Sequence, residues 1–115
     1  MPRHLLTTPL TCLALAVVPC HAAPTNPPRA AVWETVDPVT RAAGGAELLE
    51  SVGFRAAPVT ASTFSDAYAT DLILLGSFLS EHPSYAEVIR RHADRLLRWV
   101  AAGGVLVQMT QRART

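Results

Sequence analysis

Five residues stand where this 115-residue chain could hold a ligand: Glu34, Asp37, Gly76, Ser77 and Gln111. Carboxylates accept hydrogen bonds, hydroxyls and amides both donate and accept, and a glycine lets a ligand approach the backbone closely. Thr35, Phe78 and Thr110 flank them. A plainer reading competes and is favoured on sequence alone, with Glu34 and Asp37 as solvated loop carboxylates and Ser77 as a cap of local backbone.

Other groupings invite sharper chemistry and fall short of it. Ser77, Glu81 and His82 sketch a nucleophile, an acid and a base. Such a trio is defined by geometry and not by nearness in sequence, and the G-x-S-x-G turn that would expose the serine is missing. His82 reads as a loop residue ahead of a helix, and His92 as part of that helix's boundary. Two carboxylates and one histidine could ligate a metal, yet no tight ligand spacing is present, so neither a metal nor a cofactor is expected. Gly44-Gly45 ahead of a helical segment suggests a phosphate-binding turn, but the spaced glycines and the lysine of the known fingerprints are absent. A flexible turn is the better account.

The elements that must position these residues follow from periodicity. Ala30–Val36 is apolar, β-branched and aromatic, and reads as a first strand. In AELLESV, Leu48, Leu49 and Val52 share a helical face, and Gly53 with Phe54 supplies the left-handed C-terminal cap and its apolar contact. Arg55–Ala61 reads as a second strand, confined to a sheet edge because Pro58 has no N–H to give a ladder. The unbroken apolar run in Asp71–Gly76 suits a third strand buried on both faces. Ser84 and Glu87 form a capping box, followed by apolar residues at helical spacing to about Ala102, with Glu87 to Arg91 and Asp94 to Arg98 as i,i+4 pairs. Gly103 and Gly104 stop that helix, and Val105–Met109 reads as a fourth, apolar strand.

Strands alternating with helices predict an α/β protein with a three-layer, doubly wound parallel sheet. The proline in the second strand selects the flavodoxin-like order 2-1-3-4 over the order that would bury that strand. Ligands on such sheets sit beyond the carboxyl ends of the strands where the order reverses. Here that point falls between the first and third strands, with Glu34, Thr35 and Asp37 on one side, Gly76, Ser77 and Phe78 on the other, and Thr110 and Gln111 beyond.

The opening of the chain points to export. Arg3, an apolar run from Leu5 to Val18, and then Cys20 and Ala22 at small-residue positions make residues 1–22 a signal peptide cut before Ala23. The run is too short and too broken by threonine and proline to span a bilayer. Pro19 stands where a lipoprotein signal needs a small residue, so cleavage is expected and lipidation at Cys20 is not. Cleavage removes both cysteines, and with Arg3 gone nine arginines face nine carboxylates. A neutral chain offers no nucleic-acid surface and no polybasic membrane patch. The chain contains no lysine and much alanine, a bias that a GC-rich bacterial genome produces. A secreted or periplasmic protein is expected, with a Pro-rich lead-in over residues 23–29 and one domain over residues 30–115.

With these residues in place, the stretch from Ala31 to Gln111 resembles the class I glutamine amidotransferase-like superfamily, including its non-catalytic secreted relatives. The resembling phrases are GGAELLESVGF, TDLILLGS and LLRWVAAGGVLVQM. The resemblance implies a cysteine nucleophile on the turn after the strand that follows the long helix, where this chain reads Met109-Thr110-Gln111. It also implies later strands carrying a histidine and an acid. The chain is therefore expected to be a partial domain, incomplete at its C-terminus, that acts as a non-catalytic binding or structural module of unknown ligand. The alternative is the N-terminal part of a secreted hydrolase whose catalytic residues lie further on. Unpaired backbone groups on an apolar fourth strand are expected to promote self-association through that edge.

Overall fold

A computed structural model describes residues 26–109. The signal segment, Thr110 and Gln111 lie outside the described residues. The elements run β1 (Arg29–Trp33), α1 (Gly45–Ser51), β2 (Arg55–Pro58), a 3-10 helix (Phe64–Ala69), β3 (Leu72–Leu75), a 3-10 turn (Leu79–Glu81), α2 (Tyr85–Ala101) and β4 (Val105–Gln108). The four strands form one parallel sheet in the order β2-β1-β3-β4. This is the flavodoxin-like α/β order. Pro58 lies opposite Val32 at the end of the edge strand β2, where its missing N–H costs no ladder bond.

β1 and β3 form the buried centre. Ala31 and Trp33 of β1 and Ile73 and Leu75 of β3 turn to one face, where they meet Phe64, Ala67, Leu79, Val88 and Leu96. Ala30, Val32, Leu72 and Leu74 turn to the other face and meet Leu49 of α1. The strand period of two thus feeds a separate core on each side of the sheet.

Three sequence expectations need correction. Of Leu48, Leu49 and Val52, only Leu49 is buried; a seven-residue helix presents a single stripe to the sheet, and here that stripe is Gly45 with Leu49. The capping box does not form. Ser84 caps with no side-chain bond and has an αR backbone, while Glu87 turns away to Arg90 at 2.6 Å and Arg91 at 3.0 Å. Asp94 and Arg98 form no ion pair among the described residues. β4, apolar at Val105, Leu106 and Val107, is exposed along its whole length, whereas β3 is buried throughout. The cap of α1 is as expected: Gly53 has φ +103°, and the Phe54 N–H donates to the Leu49 carbonyl at 3.0 Å.

An aromatic cluster seals the α2 face. Tyr68 and His92 share a hydrogen bond of 2.9 Å through the Tyr68 hydroxyl and Nδ1, and the Arg95 guanidinium lies 4.1 Å from the Tyr68 ring centre. Burial, and then the charges of Arg95 and Arg91, hold the His92 imidazole below its ordinary value of 6.5. The unfolded chain therefore takes up this proton more readily than the folded one. The contribution of His92 is fully present above the ordinary value and is lost as the pH falls through the lower folded one. Urea melts of the wild type are expected to lose more stability across that window than melts of His92→Gln. Parallel pH profiles for the two proteins would contradict this.

Candidate functional site

The carboxyl ends of β1 and β3 flank a cleft of about 340 Å³, lined by Glu34, Thr35, Asp37, Thr40, Leu48, Ser77 and Met109 with the backbone of 42–45. It lies at the point where the strand order reverses, as the topology requires. Glu34, Asp37 and Ser77 are brought together there. Gly76 is not among the residues that line it, and Gln111 lies outside the described residues.

Glu34 is more than a solvated carboxylate. It follows β1 directly, and its side chain crosses to the start of α1, where Oε2 accepts the Gly45 N–H at 2.8 Å and Oε1 the Ala46 N–H at 3.4 Å. These are backbone donors that a helix start otherwise leaves unpaired, and a negative charge there also suits the helix dipole. The turn at Gly44-Gly45 is thus occupied by the protein's own carboxylate.

Two glycines make room for this crossing. A Cβ on Gly45 would lie 2.6 Å from Glu34 Oε2 and 2.7 Å from Leu74 Cδ2, and one on Gly76 would lie 2.5 Å from the Glu34 Cβ. Gly76 therefore serves the placement of Glu34, where the sequence suggested contact with a ligand.

Asp37 organises the other wall. Its Oδ1 accepts the N–H groups of Val39 at 2.7 Å and Thr40 at 3.2 Å, and its own N–H donates to the Ala42 carbonyl at 2.9 Å. The turn closes with Arg41 at φ +62°. An aspartate before a proline is the usual signal for such a turn, which is the clue that could have pointed to Thr40 and to the 42–45 backbone as lining. Leu48 and Met109 carry no comparable signal, because only the tertiary fold brings them to the rim.

Ser77 and Thr35 are half-buried, and their hydroxyls make no hydrogen bond to other described residues. Each carboxylate oxygen retains lone-pair capacity beyond its backbone bonds. No arginine or histidine among the described residues lines the cleft. The described lining can accept hydrogen bonds through its carboxylates and exchange them through its hydroxyls.

Of the trio sketched from sequence, Ser77 lines the first cleft, and Glu81 and His82 line an adjoining depression with Phe78 and Pro83 that shares Thr35 with it. His82 Nδ1 accepts the Ser84 N–H at 3.1 Å, and its ring stacks edge-on to Trp33 at 5.6 Å. Among the described residues no group of three His, Cys, Asp or Glu is placed to hold a metal. No described helix is long and apolar enough to cross a membrane. Compared with known protein families, curated proteins and solved structures, the chain matches none.

Proposed function

We propose that this chain is an exported, non-catalytic α/β domain of the amidotransferase-like kind that binds a small molecule in the cleft between β1 and β3. The observation that carries the reading is the pair of hydroxyls, Ser77 and Thr35, that no other described residue engages, beside two carboxylates at the reversal of strand order. The engagement of His82 Nδ1 by the Ser84 N–H at 3.1 Å supports binding over hydrolysis. Two carboxylates and two hydroxyls in the described lining suit a neutral or cationic ligand rich in hydrogen-bond donors. Export rests on the sequence of residues 1–22.

Ligand-observed NMR against separate sets of sugars, small amines and phosphate esters tests this. A sugar or amine is expected to bind, and Ser77→Val to weaken it about tenfold, the worth of one well-placed hydrogen bond, with an unchanged melting temperature. Binding that Ser77→Val leaves intact, or binding by phosphate esters alone, would refute the assignment.

A further inference from the structure

The turn after β3 holds a bulky residue in a conformation suited to glycine. The Leu79 N–H donates to the Gly76 carbonyl at 3.3 Å, which closes a four-residue turn with Ser77 and Phe78 at its centre. Phe78 has φ +57° and ψ +18°, while Ser77 keeps a negative φ. A positive φ at the third position alone is the type II pattern, which selects glycine or asparagine. A phenylalanine there is an outlier, held against its own backbone preference. Core packing does not account for it, because Phe78 is only half-buried and belongs to neither apolar core.

Phe78 instead lines the depression beside the binding cleft. That depression encloses about 290 Å³ between Val36 and Pro38 of one loop and Phe78 and Pro83 of the other. Val36 is 62% exposed, so this apolar surface is open to a ligand. The polar members are Thr35, the exposed Glu81, and His82, whose Nδ1 already accepts the Ser84 N–H. Neighbours in sequence divide between the two spaces. Asp37 and Ser77 line the cleft, Val36, Pro38 and Phe78 line the depression, and Thr35 lines both. A polar space and a largely apolar one therefore lie side by side along the same pair of loops. At about 340 and 290 Å³, each is at the lower end of the roughly 300–1,000 Å³ of small-molecule pockets. One ligand across both would use the middle of that range.

We propose that the depression at Phe78 takes the apolar arm of a ligand whose donor-rich head occupies the cleft at Ser77 and Thr35. The ligand is then a sugar or amine head bearing a ring-sized apolar group, and this inference rests on the binding reading of the cleft. Pro38 and Pro83 are rigid walls with almost no side-chain entropy to lose on contact. Phe78 offers an aromatic ring on which an aryl group stacks offset or edge-on. The strained turn sets Ser77 and Phe78 on consecutive residues, so head and arm are read by one short segment.

Matched probes followed by ligand-observed NMR test the proposal: methyl against phenyl glucoside, and ethylamine against 2-phenylethylamine. In whichever pair binds, the phenyl member is expected to bind about tenfold or more tighter, with nuclear Overhauser contacts from its ring to the Phe78 ring. Phe78→Gly relieves the turn and is expected to abolish that gain, without lowering the melting temperature or the affinity of the smaller member. Val36→Asp, at an exposed site, should reduce the same gain and leave the turn untouched. Ser77→Val should weaken both members alike. A phenyl member no tighter than its partner, or a gain that survives both Phe78→Gly and Val36→Asp, would overturn this proposal and leave the cleft reading standing. So would a fall in melting temperature for Phe78→Gly with the gain retained, which would make Phe78 a packing residue. Binding by none of the four probes would overturn both readings together.

Discussion

Phe64→Ala is expected to destabilise the domain by about 3–5 kcal/mol, nearly the whole stability of a small domain at the low end of the usual range of about 5–15 kcal/mol. Phe64 is 1% exposed and opens the 3-10 helix that packs against β1 and β3. Its ring meets Trp33 edge-on at 5.7 Å, His92 at 4.9 Å and Tyr68 at 6.0 Å. Two other elements, β1 and α2, therefore converge with Tyr68 of the same 3-10 helix on one side chain. The vacated space cannot close by a shift of one loop, because Trp33 is fixed in a central strand with β2 and β3 on either side. A cavity that persists adds its own cost to the lost burial. Urea melts followed by tryptophan fluorescence would report the change. A loss below about 1 kcal/mol would show that the 3-10 segment packs loosely and that the α2-face core does not depend on it.

Elements whose local pattern matches their tertiary setting were legible in the sequence. The four consecutive apolar residues of β3 could be satisfied only between two covered faces. Pro58 alone decided the strand order, since a residue without an N–H belongs at an edge. Gly53 with Phe54 marked the end of α1 by a local backbone requirement. The exposure of β4 was less legible, because an apolar strand reports its composition and not whether helices lie over it. The 3-10 helix at Phe64–Ala69 lacks the period of an α-helix and read as loop. Glu87 illustrates competition, since one carboxylate serves either a cap or two arginines, and here the arginines win.

The site was legible in place and not in role. Strand order alone located Glu34, Asp37 and Ser77 at one cleft. The engagement of Glu34 with Gly45 and Ala46 joins residues eleven and twelve apart, through a space that exists only once β1, β3 and α1 are assembled. Such a contact has no signature in spacing. The glycines at 45 and 76 had been visible as a turn and as a ligand approach, which are the ordinary reasons for glycine, and the close passage of Glu34 is a further reason that only the assembled fold shows.

Gly76→Ala is expected to cost about 1–3 kcal/mol, as overpacking of a fixed position does, and to impair the cleft as well as the fold. The added methyl would lie 2.5 Å from the Glu34 Cβ and 3.0 Å from its Cα, atoms too close to the backbone to swing aside. Gly76 is itself held by its N–H bond to the Trp33 carbonyl at 2.8 Å, so strain passes to Glu34, and its carboxylate leaves the N–H groups of Gly45 and Ala46. Loss of a cap of this kind accounts for about 1 kcal/mol of the total. Glu34→Gly incurs that cap loss by itself but removes the Cβ that the methyl strikes. In that background Gly76→Ala should cost less than in the wild type, with a coupling of about 1 kcal/mol or more. Urea melts of the two single variants and the double variant close the cycle. Additive losses would mean that Gly76 and Glu34 act independently and that the close approach at the end of β3 does not place the carboxylate.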